Sequence, residues 1–224
     1  MLTHLQPLIK KSNTRSYKSG STILYQGEAP RYAHILSKGV VKVFSISAQG
    51  DEQIVMYHVE GEFFPSSWIF NKSQGALFFY EAVTDCEIAL APPDEMIEFM
   101  LSKPESMKAM FNYFTTNYSA SLIHVNALEQ PKARDKLLYT LYFLCQRYGD
   151  IRQKKTHIPF ALTHQNLASL VGITRETAAT EMGKLKNTGL LTYVNQKYII
   201  DAEKLLELIG EDSLKDINIR LFEK

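Results

Sequence analysis

Arg175 and Glu176 stand side by side between Thr174 and Thr177, ahead of Ala178 and Ala179. These side chains suit the reading of base edges. A guanidinium bridges O6 and N7 of a guanine, and a carboxylate accepts from the N4 amine of a cytosine. The hydroxyls of Thr174 and Thr177 are within reach of phosphate, and small neighbours let a helix sit deep in a groove. Thr163, His164, Gln165, Thr180, Lys184 and Lys186 flank them and are candidates for the same surface. The competing reading is an Arg-Glu pair on a solvated helix face.

Positioning those side chains requires two short helices. "LTHQNLASLVG" predicts a helix capped by Thr163, with Leu167, Leu170 and Val171 inward and Ala168 small enough for close approach. Gly172 supplies a tight turn, and Thr174 caps a second helix whose inward face is Ala178, Met182 and Leu185. Two helices joined through such a glycine turn form a helix-turn-helix, which places the first residues of its second helix in the major groove. "KNTGLLTYVNQKYIID" then predicts a two-stranded hairpin, a wing against the phosphate backbone.

Charge follows the same segment. The 224 residues carry a formal net charge of +1, but residues 131–200 hold 11 Lys and Arg against 4 Asp and Glu, while both flanking segments are net acidic. A basic island around a helix pair favours nucleic acid over a merely solvated face.

Upstream the period changes. "STILYQGEAP", "RYAHILSKGVVKVFSIS", "EQIVMYHVEGEFF" and "LFFYEAVTDCEIALAP" alternate apolar residues, punctuated by Gly27, Gly39, Gly50 and Gly61. Short strands at regular spacing predict an antiparallel barrel or jelly roll. "SKPE" at Ser102 reads as a helix start, with a cap serine and a glutamate three residues on. The helix that follows sets Met107, Phe111, Phe114, Tyr118, Ser121, Val125 and Leu128 at steps of 4 and 3. That seam either packs on its own barrel or, given its polar surroundings, joins two copies of the chain. Pro131 ends it, and another helix is expected over 132–148. The fold class expected is α+β: a β jelly roll over 1–101, a long dimerisation helix over 102–130 and a winged helix-turn-helix domain over 131–224.

Other chemistries find little support. Cys86 and Cys145 fit neither metal spacing nor a disulfide framework. Nucleophile triads, zinc-protease, phosphate-loop and dinucleotide signatures are absent from the sequence, so no catalytic residue, metal or cofactor is expected and the chain is not read as an enzyme. The first residues are too weakly apolar for a signal peptide and no run is long enough to cross a bilayer, so a soluble cytoplasmic protein is expected.

"YQGEAPRYAHILSKGVVKVF" resembles the barrel signature of the Crp/Fnr family of bacterial transcription regulators, and "GITRETAATEMGKL" resembles its recognition helix. The resemblance covers nearly the whole chain. It implies a homodimer on a palindromic site in double-stranded promoter DNA, with RNA polymerase as a partner and a small-molecule effector in the barrel. The sequence also departs from its relatives. Cyclic-AMP-binding members follow a Gly-Glu pair with an Arg-Ser that clamps the cyclic phosphate. Gly61 and Glu62 are present here, but Ala76 and Leu77 fall where Arg and Ser should be. A phosphate without its arginine loses a charge-assisted contact, so an effector other than cyclic AMP is expected. Oxygen-sensing members carry an N-terminal cysteine cluster, and no cysteine precedes Cys86. Haem would need His34 or His58, each a lone histidine on a strand. Gly61, Glu62, Phe63, Phe64, Trp68, Phe78 and Tyr80, with Phe70 and Phe79, either line an apolar effector site or are plain core. Thr180 stands where many relatives carry a second arginine on the recognition helix. The rival function is a ligand-binding sensor whose helix-turn-helix serves protein contacts.

Overall fold

The structure, a computed structural model, describes residues 2–152 and 154–210; the last part of the expected 131–224 domain, residues 211–224, lies outside them. Two compact units divide the chain, Met1–Thr115 and Thr116–Lys224.

The first unit opens with α1 (Leu2–Lys11), then builds two four-stranded antiparallel sheets. One has the order β1 (Asn13–Tyr17), β8 (Cys86–Ala91), β3 (Ala33–Lys38), β6 (Phe63–Phe64); the other β2 (Thr22–Leu24), β7 (Phe79–Ala82), β4 (Val41–Ile46), β5 (Glu52–His58). Apart from the β4–β5 hairpin, neighbours in each order are not consecutive in sequence, as expected of a jelly roll. The alternation that predicts the strands also sorts their side chains. From β3 and β8, Leu36, Cys86 and Ile88 join Val41, Val43 and Tyr80 of the second sheet between the two layers. Ile35, Ala89 and Ala91 point the other way, into a second core shared with Leu5 and Leu8 of α1 and Met96 and Met100 of α3 (Pro93–Leu101). The centre of the first sheet, β3 and β8, is therefore covered on both faces. A short helix, α2 (Ser66–Ile69), leads out of β6.

Gly39, at φ +102°, makes the β3–β4 turn, where an added Cβ would lie 2.6 Å from the Asp85 carbonyl oxygen. No side chain fits there.

The long helix α4 spans Pro104–Glu129. It starts two residues later than "SKPE" suggests, because Ser102 closes α3 instead: its N–H and Oγ both donate to the Phe99 carbonyl, at 3.4 and 2.7 Å. Phe114 also leaves the expected seam. It is half-buried in the first unit, edge-on to Phe63 and Phe70 and beside Tyr113, whose hydroxyl donates to the Phe63 carbonyl. The ring meets an aromatic pocket of its own unit, where edge-to-face contacts are favourable. Met107, Phe111, Tyr118, Ser121, Val125 and Leu128 remain exposed, and Leu122 extends their row.

In the second unit α5 (Ala133–Tyr148) is the central helix, buried from Leu137 to Leu144. It is followed by β9 (Asp150–Arg152), β10 (Lys155–His157), α6 (His164–Val171), α7 (Arg175–Asn187), β11 (Leu191–Val194), β12 (Lys197–Ile200) and α8 (Ala202–Ile209). The strands form one sheet in the order β11-β12-β10-β9, so the wing hairpin is half of a four-stranded sheet.

Candidate nucleic-acid interface and barrel interior

Local chemistry fixes the helix pair. Thr163 Oγ1 accepts from the Asn166 N–H at 3.1 Å, and Asn166 Oδ1 accepts from the Thr163 N–H at 2.9 Å, a reciprocal cap at the start of α6. Gly172 ends α6 in the left-handed region, φ +68°, and its N–H donates to the Ala168 carbonyl at 2.9 Å. Leu167, Ala168, Leu170 and Val171 of α6 and Ala178, Met182 and Leu185 of α7 are buried. Ala178 is fully covered where the helices approach, a position in which a larger side chain would drive them apart.

The outer face of α7 presents Arg175, Glu176, Thr180 and Lys184 to solvent. Thr174 serves first as the cap: its Oγ1 accepts from the Thr177 N–H at 3.2 Å and lies 2.9 Å from Thr177 Oγ1. The two hydroxyls expected to reach phosphate are thus one hydrogen-bonded pair. Lys184 Nζ lies 2.6 Å from Glu181 Oε1, and Lys186 is exposed one position past Leu185. Gly183 is bare on this face, where a Cβ would meet nothing within 4 Å.

His164 and Gln165 open α6 beside the wing. The hydroxyl of Tyr193 on β11 donates to the Leu162 carbonyl at 3.2 Å, the Leu162 N–H donates to the Gln196 carbonyl at 2.8 Å, and the His164 ring stacks on Tyr193 at 5.9 Å. Asn195 and Gln196, both at positive φ, make the hairpin turn and leave Lys197 exposed beside it. The quoted hairpin contains Tyr193 and Lys197, but periodicity alone does not single them out.

The basic island is less uniform than its composition. Arg147 is buried, with Nη2 donating to Asn117 Oδ1 at 2.9 Å, and Arg152 pairs with Asp150 at 2.7 Å. Exposed Lys132, Arg134, Lys154, Lys155, Arg175, Lys186 and Lys197 carry the positive surface.

The aromatic cluster of the barrel divides between two cores, apart from Phe79, which stacks on Phe44 at 5.2 Å. Phe64 lies between the sheets, with His34, His58 and Tyr80 stacked near-parallel to it at 5.4, 5.1 and 4.9 Å, and Phe78 packs against the same core. Phe63 faces the other way, toward the core where Trp68 and Phe70 pack. The set expected to line one site therefore lies on two sides of β6. His58 Nδ1 is 2.8 Å from Glu62 Oε2, both groups buried. Burial lowers the His34 imidazole to about 4, with Arg15 adding to the effect and the Tyr32 backbone opposing it. Burial raises the Tyr80 phenol. Gly61 is a buried turn residue at φ +87°. Ala76 is buried, held by its N–H to Glu28 and its carbonyl to Gly27, each at 2.8 Å, whereas Leu77 points to solvent. Among the described residues, no group of three or more His, Cys, Asp or Glu is placed to hold a metal ion.

With this geometry in place, comparison with known proteins is direct. Residues 14–103 match the family model described as the cyclic nucleotide-binding domain, and residues 135–208 the one described as the Crp-like helix-turn-helix domain. The nitrogen fixation regulation protein FixK of Rhizobium meliloti (strain 1021) is 26% identical over 79% of this chain and 76% of its own length. The regulatory protein HlyX of Actinobacillus pleuropneumoniae is 26% identical over 88% of this chain and 80% of its own. The fold is shared with TTHA1359, a transcriptional regulator of the CRP/FNR family from Thermus thermophilus, at a TM-score of 0.66 and 23% identity, covering 89% of this chain and 99% of that one.

Proposed function

Because the chain belongs to the Crp/Fnr family of transcription regulators, we propose that it acts as a homodimer on a two-fold symmetric site in promoter DNA. The observation that carries this reading is the capped, exposed start of α7, where Arg175 and Glu176 project from a helix held down by Ala178, Met182 and Leu185. Laid in a major groove, Arg175 reads a guanine and Glu176 a cytosine amine. Thr180 lacks the donors for a second bidentate contact, so the base pair beneath it is read loosely. His164, Gln165, Thr163, Thr177, Lys184 and Lys186 hold phosphates and fix register without reading sequence. The exposed apolar row of α4 joins the two copies, which sets the half-sites about one helical turn apart.

The barrel, residues 1–101, serves as the sensor domain, and RNA polymerase is the partner at the promoter. The effector is not cyclic AMP. A cyclic phosphate at Ala76 and Leu77 would meet neither charge nor side-chain hydroxyl, and the Glu62 carboxylate is already engaged by His58. Micromolar binding of cyclic AMP in a calorimetric titration would overturn this. No helix among the described residues is long and apolar enough to cross a membrane.

Selection of bound duplexes from a random pool, run in parallel on wild type and Arg175→Ala, tests the reading. Arg175→Ala should weaken binding by about 1–3 kcal/mol per half-site and relax preference at one base pair. Identical motifs from both proteins would remove Arg175 from base reading. Steep loss of affinity with added salt is expected of DNA contact, and binding indifferent to salt would favour a helix-turn-helix used for protein contacts.

A further inference from the structure

Helix α4 has a second stripe besides its exposed row. Asn117, Ala120, His124 and Ala127 recur at steps of 3, 4 and 3, and the last three are buried within the second unit. Ala120 and Ala127 are small, covered side chains. His124 lies between them. Its ring stacks flat on Phe143 of α5, centroids 4.7 Å apart at 10°, and its Nε2 is 3.0 Å from the Leu170 carbonyl oxygen of α6. A carbonyl only accepts, so Nε2 carries the proton.

Leu170 sits in the last turn of α6, where carbonyls lack a partner within the helix. The neighbouring Ala168 carbonyl takes the N–H groups of both Gly172 and Ile173. The imidazole therefore caps α6 from across the unit, 46 residues away in sequence. Asn117, two turns earlier on the same stripe, accepts from Arg147 of α5. Packing of small buried side chains tolerates sliding, but a directional bond to one carbonyl does not. His124 thus fixes the register of the helix pair against the second half of α4.

We propose that His124 is a positioning residue for DNA recognition: without touching DNA, it sets the spacing of half-sites that the dimer accepts. This rests on the homodimeric DNA-binding reading above. If α4 carries the two-fold axis, whatever locks α6 and α7 to α4 also fixes the distance between the two copies of Arg175. Releasing that lock leaves each reading head intact and loosens their separation.

The test uses the full chain as wild type, His124→Phe and His124→Gln. Phenylalanine keeps a ring on Phe143 and removes the donor, whereas glutamine returns an N–H donor at similar reach. Each protein is titrated against duplexes with the selected half-sites at optimal spacing, with one base pair added or removed, and with a single half-site. Wild type should favour one spacing sharply. His124→Phe should lose about tenfold at that spacing, with a flattened profile, unchanged affinity for the single half-site and an unchanged dimer by sedimentation. His124→Gln should restore most of the preference. A wild-type profile from His124→Phe overturns the assignment, and so does an equal loss on every duplex, single half-site included, which would mark general damage to the unit. Nitrogen NMR of the wild-type imidazole gives a check independent of folding in the variants: the assignment requires a proton on Nε2, and a neutral ring protonated only at Nδ1 would contradict it. Failure of wild type to bind any duplex would instead sink the DNA-binding reading itself.

Discussion

The Tyr193 phenol donates to the carbonyl of Leu162 across 3.2 Å, and through this bond the wing holds the segment that launches the first helix of the helix-turn-helix. Tyr193 also packs on Tyr198 at 4.6 Å and stacks with the ring of His164. One side chain thus joins the sheet of the second unit to the start of α6. Tyr193→Phe keeps the rings and removes the hydrogen bond, and should destabilise the protein by about 1 kcal/mol. Urea unfolding would show the midpoint lowered with its slope unchanged. An unaltered midpoint would mean that solvent replaces the bond without loss.

Much of this is legible in the sequence where one residue type recurs for one reason. Strands such as β7 alternate because one face is covered more than the other, and the helix pair is marked by Thr163, Gly172 and Thr174, whose roles are local. Other elements leave no such trace. All but the last residue of β1, Asn13–Tyr17, are exposed, so it shows no alternation although it pairs along β8. Helix α3 has only Met96 and Met100 fully inward, and it hides between a strand and the "SKPE" that looks like a start. The buried stripe of α4 is not marked as core, since asparagine is mostly exposed, histidine intermediate, and alanine too small to stand out as an apolar anchor. The heptad pattern misplaces Phe114 because it records spacing and not which neighbour is nearer. The aromatic cluster is divided by β6, a two-residue strand whose side chains face opposite cores.

The two faces of α4 separate dimerisation from protomer stability. Phe111 and Tyr118 are 63% and 66% exposed in the protomer, whereas Phe114 packs on Phe63 and Phe70. A charge buried without a partner at an interface costs about 3 kcal/mol or more, so Tyr118→Asp should raise the dimer dissociation constant at least ~100-fold with the protomer still folded. Phe114→Ala should do the reverse, lowering stability by about 2 kcal/mol and leaving association intact. Sedimentation and thermal melts of both variants decide it. A Tyr118→Asp protein that stays dimeric would move the interface off this helix.

His34 gives stability a dependence on pH. Its imidazole is lowered from 6.5 to about 4 by burial beside Phe64, and among the described residues no hydrogen-bond partner meets its Nδ1. Between those values the unfolded chain takes up a proton that the folded chain refuses. Stability is therefore fully present above about pH 6.5 and falls as pH drops through that value, by about 2 kcal/mol at pH 5, levelling on the order of 3 kcal/mol below pH 4. His34→Phe keeps a ring on Phe64 and removes the titrating group. Denaturant curves at pH 7 and pH 5 should show a smaller acid loss for this variant than for wild type, and equal losses would assign the acid sensitivity to other groups.

Gly183 sets stability against recognition. It lies in the interior of α7 on the exposed face, and a Cβ there would meet nothing within 4 Å, so packing within the protein does not require it. Glycine inside a helix is unfavourable by roughly 0.5–1 kcal/mol relative to alanine, because its backbone has more freedom to lose. Gly183→Ala should therefore stabilise the protein by about that amount. Thr180 lies three residues earlier and Lys184 follows, so the bare position sits among the side chains that would meet the groove. If the duplex approaches the helix backbone there, the added methyl should weaken DNA binding about tenfold while the melting temperature rises. Fluorescence anisotropy on one operator duplex, beside thermal melts, separates the two effects. A stabilised protein with undiminished affinity would show that the groove does not reach this turn of α7 and that contact is confined to its first turn, around Arg175.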